Sequence, residues 1–273
     1  MKARLNTNDQ IPFLGFGTFR ITDLNAEYAV KHALDVGYRH IDTAAIYANE
    51  EGVGRGIKNS KLNREDVYLT TKLWLTEQNY KQAISAFEQS CLKLGTDFID
   101  LYLIHWPTKD FIEQWQAMID LFNEGKIKSI GVSNFHQHHL ETLFTQSNIK
   151  PAVNQIELHP QFTQKDLLLF NKRNNIQTEA WSPLMKGEIT NIHLLNELSK
   201  KYNKTTAQIT LRWHIQNEIV AIPKSENQQR IKENFDIFDF VLSSEDMKKI
   251  DNLNQNNRIG SNPDTLASEK FGL

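Results

Sequence analysis

The chain has 273 residues, 40% of them hydrophobic and 23% charged, with a net charge of −2. That length supports a sizeable core in one or two domains, and the balanced charge argues against a polyanionic partner such as nucleic acid. Cys91 is the only cysteine, so no intrachain disulfide can form, and no apolar run approaches the roughly 18 residues of a membrane span. The N-terminal MKARLNTNDQIP has no apolar stretch that could act as a signal peptide, so a reducing, cytoplasmic setting is expected.

Along the chain, RLNTNDQIPFL reads as a small β-hairpin with a polar turn. Eight strands then follow at Phe13–Thr18, Tyr38–Ala44, Val67–Leu73, Ile99–His105, Ser129–Asn134, Ala152–Leu158, Gln177–Ser182 and Val220–Pro223. Several are nearly continuous apolar runs, as parallel strands covered on their outer side should be. Amphipathic helices lie between them. Ala26, Ala29, Val30, Ala33 and Leu34 share one helical face and Gly37 closes it. Phe87, Cys91 and Leu94 precede Gly95 in the same way, which places Cys91 in core packing rather than at a nucleophilic site. Trp115, Met118, Ile119 and Phe122 precede Gly125. Repeated helix, glycine, strand is the grammar of βα units, and eight of them predict a single (β/α)8 TIM barrel over residues 1–273, capped by the N-terminal hairpin. Ser243–Leu253 reads as a further helix and Asn254–Leu273 as a short irregular tail.

Four residues fall at or just past successive strand ends: Asp42, Tyr47, Lys72 and His105. In a barrel these ends share the C-terminal face, where catalytic groups gather. A lysine ending an apolar strand needs a nearby carboxylate, and Asp42 is placed to supply it. That pair alone reads more simply as a buried ion pair. With Tyr47 and His105 added it reads as a proton-donating site. A lysine ammonium ~4 Å from a phenol favours the phenolate by about 4 kcal/mol at an effective dielectric of 20, which lowers the expected Tyr47 pKa from near 10 to near 7. His105, as a neutral donor, is placed to hold a carbonyl oxygen beside the Tyr47 hydroxyl. His136, His138 and His139 cluster at the start of a polar helix without supporting cysteines or carboxylates, so they read as a solvated face and no metal is expected.

An acid aimed at a carbonyl oxygen needs a nucleophile for the carbon, and without a metal that points to hydride from a nicotinamide. GFGTFR at 15–20 and GVGRGI at 52–57 both fail as a dinucleotide fingerprint, the second because it lies on a probable helix. IPKSENQQRIKEN at 222–234 instead follows the eighth strand, where barrels hold phosphate near a helix N-terminus. Lys224 and Arg230 there could share a phosphate monoester, which points to NADPH. Taken alone, this segment reads more simply as a charged loop.

Together GYRHIDTAAIYANEEGVG, IDLYLIHWP and IPKSENQQRIKEN resemble three ordered signatures of the aldo-keto reductase superfamily, over nearly the whole chain. The resemblance implies a (β/α)8 barrel with NADPH extended across its C-terminal face. It implies Tyr47 as general acid, completed by Asp42, Lys72 and His105. Ser133, Asn134 and Gln155 would bind the carboxamide and Trp181 would stack on the nicotinamide, with Gly17, Thr18, Asp42, Ser182 and Leu184 as further cofactor contacts. Lys224, Ser225, Arg230, Glu233 and Asn234 would clamp the adenosine phosphate, with Glu226 standing where many relatives carry an apolar residue. Phe19, Trp74 and Trp106, with Tyr47 and His105, would line the substrate pocket. The short tail resembles a compact prokaryotic branch acting on small dicarbonyls, aldehydes or keto sugars, and is expected to leave the pocket open. A monomer is the default. Two rivals predict otherwise: a cofactor-sensing subunit would bind NADPH with feeble turnover, and an isomerase or aldolase barrel would not bind it.

Overall fold

The computed structural model describes residues 1–77, 79–109 and 111–271. Strands β1 (Lys2–Arg4) and β2 (Gln10–Pro12) pair antiparallel as a hairpin. Eight parallel strands follow: β3 (Phe16–Gly17), β4 (His40–Asp42), β5 (Tyr68–Leu73), β6 (Ile99–Ile104), β7 (Ile127–Ser133), β8 (Val153–Glu157), β9 (Gln177–Trp181) and β10 (Val220–Ala221). They lie side by side in chain order. The ring closes through a parallel bridge between Leu14 and Ala221, where Ala221 N–H donates to Phe13 O and Gly15 N–H to Ala221 O, both at 2.9 Å. The expected eight strands are all present. The first and last are shorter than their apolar runs suggest, since their outermost contacts are single hydrogen bonds such as Gly17 N–H to Pro223 O rather than a regular ladder.

Helices α1 (Asp23–Val36), α2 (Glu50–Asn59), α3 (Tyr80–Leu94), α4 (Phe111–Asn123), α5 (Gln137–Gln146), α6 (Lys165–Arg173), α7 (His193–Tyr202), α8 (Thr206–Gln216), α9 (Gln228–Phe235) and α10 (Ser244–Asp251) surround the strands. The anticipated face of α1 is buried, and Gly37 ends the helix at φ 127°, its N–H shared by the carbonyls of Ala33 and Leu34. GVGRGI lies on α2, as its sequence context suggests. Its glycines serve close packing: a Cβ at Gly52 would strike the Asp23 carbonyl, and one at Gly54 would sit 2.5 Å from the Leu94 carbonyl oxygen. Cys91 is half-buried on α3 among core residues, and burial pushes its thiol up to about 11.

Alternation along each strand sorts two cores. Outward residues such as Leu69, Leu73, Tyr102 and Ile104 pack under the helices. Inward, Leu101, Leu103, Val153 and Val220 meet Ala3, Leu5 and Ile11 of the hairpin, which plugs the N-terminal mouth. The same alternation turns Asp42, Lys72, Gln155 and Glu179 into the barrel nearer its other end. The tail departs from expectation. It carries a six-residue helix, α11 (Leu266–Phe271), rather than irregular chain throughout; the last two residues of the chain lie outside the described ones.

Candidate active site

Asp42 is the last residue of β4, and Tyr47 ends a short 3-10 turn at Ala45–Tyr47 directly after it. Lys72 is the next-to-last residue of β5, and His105 follows β6. Lys72 Nζ lies 2.6 Å from Asp42 Oδ1 and 2.8 Å from Thr43 O, with both side chains buried. Gln155 donates to the other Asp42 oxygen at 2.8 Å. Burial opposes the Lys72 ammonium most strongly, but the Asp42 charge and hydrogen bond, together with the Tyr47 and Glu179 groups, outweigh it and hold its pKa above the usual lysine range. The ammonium sits 5.2 Å from the centre of the Tyr47 ring, and His105 stacks edge-on to that ring at 5.7 Å. The structure therefore brings all four residues together.

One expectation needs correcting. The Tyr47 phenol is pushed up to about 12, because desolvation of its anion outweighs the favourable Lys72 charge. The Lys72 charge and hydrogen bond do favour the anion, as the sequence suggests, but burial of the phenol costs more than they return. Tyr47 is thus a firmly protonated donor in neutral solution. Burial, then the Lys72 charge, holds the His105 imidazole well below its usual range, so it is neutral, and its Nδ1 has no partner among the described residues.

Aromatic rings rim these two donors. Phe19 lies 5.0 Å from Tyr47 between ring centres, Trp74 lies 5.1 Å from His105, and Trp106 stacks on His105 at 6.4 Å. The tail does not stand clear of this pocket: Phe271 packs edge-on against Trp74 at 5.7 Å. Further back, the Ile259 and Gly260 amides donate to the buried Glu157 carboxylate at 2.6 and 2.9 Å, and a Cβ at Gly260 would collide with the Trp181 ring. This anchorage was not legible in the sequence, where Glu157 read only as part of a strand.

The residues expected to hold a coenzyme lie in one arc. Asn134, in the left-handed region at φ 66°, donates to His105 O and Ser133 Oγ. Trp181 is half-buried and donates its indole N–H to Asn134 Oδ1 at 2.8 Å. Side-chain amides beside a pinned, partly exposed indole suit a carboxamide and a flat ring. Gly17 has no room for a Cβ beside Ile222 O, and Thr18 is spent on Asp42 O. Ser182 and Leu184 follow β9, with Ser182 at φ 50°. At the far end Lys224 and Arg230 are exposed, Ser225 and Asn234 are buried, and Glu233 is half-buried. Asn227 caps α9, leaving the first amides of that helix near the two cations, a donor set that suits a phosphate monoester. Glu226 holds Lys224 at 2.6 Å and accepts from Asn25 at 3.0 Å.

The histidine cluster also differs from its sequence reading. Asp264, contributed by the tail, places Oδ1 3.0 Å from His136 Nδ1, 3.3 Å from His138 Nε2 and 3.6 Å from His139 Nε2. A carboxylate is therefore present, and His136 and His139 are half-buried rather than solvated. Arg258 donates to His136 Nε2 at 3.2 Å and the His136 amide donates to His139 Nδ1 at 3.1 Å. In the neutral rings this leaves the protons on His136 Nδ1 and His139 Nε2, aimed at Asp264. The cluster fastens the tail to the start of α5.

A (β/α)8 barrel with a tyrosine, a lysine–aspartate pair and a histidine converging at its C-terminal face defines a class of oxidoreductase. The chain belongs to the aldo/keto reductase family, whose model matches residues 13–255. It is 51% identical over 266 residues to glyoxal reductase of Bacillus subtilis, covering 97% of this chain and 96% of that protein. It is 45% identical over 269 residues to a methylglyoxal reductase of Escherichia coli, covering 97% of each. An aldo-keto reductase of Bombyx mori, solved in complex with NADP, superposes with a TM-score of 0.92 at 37% identity, covering 97% of this chain and 96% of that one. Among the described residues no helix is long and apolar enough to cross a membrane.

Proposed function

We propose that this protein reduces small aldehydes, ketones or dicarbonyls to alcohols, with NADPH as coenzyme. The observation that carries the reading is a protonated Tyr47 beside a neutral His105, over a buried Lys72–Asp42 pair, in an aromatic-rimmed pocket. When bound, the nicotinamide supplies the hydride.

The chain's own residues do the rest. Tyr47 and His105 both donate to the substrate oxygen, and the Tyr47 proton passes to it as negative charge develops there. Lys72 steadies the phenolate left behind, and Asp42 and Gln155 fix Lys72 in place. Ser133, Asn134 and Gln155 hold the carboxamide, Trp181 carries the ring, and Lys224 and Arg230 take the 2′-phosphate, assisted by Ser225, Glu233 and Asn234. Gly17, Thr18, Ser182 and Leu184 complete the coenzyme channel. Phe19, Trp74 and Trp106 grip an apolar substrate edge and shed water.

The relatives' names favour a small dicarbonyl as substrate. The protein is read as working as a monomer over residues 1–273 in the cytoplasm. The test follows NADPH consumption by purified protein with methylglyoxal and with an aromatic aldehyde. Turnover with either supports a carbonyl reductase; tight NADPH binding without turnover would favour a cofactor sensor instead.

A further inference from the structure

A second carboxyl lies inside the barrel, and the reaction above does not use it. Glu179 sits in the middle of β9, in register with Gln155 of β8 and Val220 of β10. Its side chain is completely buried, and among the described residues neither carboxyl oxygen has a well-formed hydrogen bond; the nearby Gln155 amide, which donates to Asp42, gives its anion only weak support. Five titratable groups act on it or respond to it: His40 and Asp42 from β4, Lys72 and Tyr68 from β5, and Tyr47 from the turn after β4.

None of these can neutralise a Glu179 carboxylate. Lys72 is already bonded to Asp42 and Thr43. His40 Nε2 is 3.7 Å from Glu179 Oε1 but is engaged with Thr70 Oγ1 at 3.1 Å, and burial, then the Lys72 charge, pushes its imidazole down to about 3, so it is neutral. An ion without a partner in such a place retains its proton instead. Burial first, and then the Asp42 charge, pushes the Glu179 carboxyl up to about 8.

We propose that Glu179 is a positioning residue that acts on Tyr47 through the Asp42–Lys72 pair, and that it sets how carbonyl reduction responds to alkali. The inference rests on Tyr47 as proton donor. In neutral solution the groups around Glu179 comprise the Lys72 cation, the Asp42 anion and the neutral Glu179 acid, so their charge balances. When Glu179 releases its proton to solvent, one negative charge is added beneath the site. Lys72 and Tyr47 then hold their protons more tightly. A weaker acid donates less readily, so reduction slows as Glu179 ionises.

The test combines one measurement on the unmodified protein with one variant. Infrared difference spectra of the wild type should show a buried carboxylic-acid carbonyl band in neutral solution that fades with a midpoint near pH 8. The band should be absent from Glu179→Gln. With saturating coenzyme and substrate, wild-type kcat for reduction should fall by about threefold across the same midpoint, as expected for one added interior charge. Glu179→Gln should keep the neutral rate and stay flat through that range. A merely structural glutamate would alter the rate equally at every pH. A missing band, or an unchanged step in Glu179→Gln, would overturn the proposal. If the band titrates but neither protein turns over, the carbonyl-reductase reading fails while the placement of the proton stands.

Discussion

Trp181 donates its indole N–H to Asn134 Oδ1 at 2.8 Å, tying the end of β9 to the turn after β7. The ring proposed to carry the nicotinamide is thus held by a residue proposed to bind the carboxamide. Trp181→Phe keeps an aromatic face and loses the tether. One hydrogen bond is worth about 1 kcal/mol, so NADPH affinity should fall about fivefold. Fluorescence titration with NADPH checks this, and unchanged affinity would mean that the bond does not help to seat the ring.

Tyr47→Phe should lower kcat by about a hundredfold or more while NADPH affinity stays within about twofold, since general acid catalysis contributes on that scale. Steady-state rates with methylglyoxal, paired with a coenzyme titration, separate the two effects. Loss of coenzyme binding in this variant would contradict the assigned role.

Glu226 competes with any phosphate for Lys224, whose ammonium it holds at 2.6 Å. The Lys224 and Asn25 hydrogen bonds hold the Glu226 carboxyl below its usual range, so it stays charged. Glu226→Gln should raise NADPH affinity about threefold at low salt and less at high salt, because the exposed charges are screened. Lys224→Ala should weaken NADPH far more than NADH. Equal losses for both coenzymes would remove the 2′-phosphate assignment.

Lys72→Met leaves the buried Asp42 carboxylate without its cation. Breaking such a pair from one side costs about 3–5 kcal/mol. Urea unfolding should show that loss, and adding Asp42→Asn in the same chain should restore most of it. A single variant as stable as the wild type would mean that Asp42 is neutral in the folded protein.

Glu179 also predicts a pH dependence of stability. Its folded pKa, about 8, lies above the ordinary 4.5, so between these values the folded chain keeps a proton that the unfolded chain has lost. Stability from this group is full below pH 4.5 and is lost as pH rises towards 8, at up to about 1.4 kcal/mol per pH unit. Glu179→Gln should therefore gain on the wild type across that window, which thermal unfolding at a series of pH values would reveal. Parallel curves would mean that Glu179 is ionised in the folded protein.

The strand order and the tetrad were legible because both depend on local spacing. Asp42, Lys72 and His105 each fall at the end of an apolar run, and parallel strands bring such ends together. The Tyr47 pKa was not legible, because it depends on how deeply the folded chain buries the phenol, which outweighs the Lys72 charge. Asp264 was missed as the partner of His136 because 128 residues separate them and no local pattern joins a tail to a helix start. Glu179 did leave a signal, an acid inside the strand Gln177–Ser182 on the same face as Trp181, which two-residue alternation could have turned inward.

The anchorage of Ile259 and Gly260 on Glu157 changes what the tail means for the design of variants. Cutting the chain before Ile259 would not simply widen access to the pocket. It would leave a buried carboxylate without its two amide donors and remove the backbone that Trp181 leans on. Substrate range and coenzyme retention are therefore joined in one stretch of backbone, and changing the first by trimming would forfeit the second.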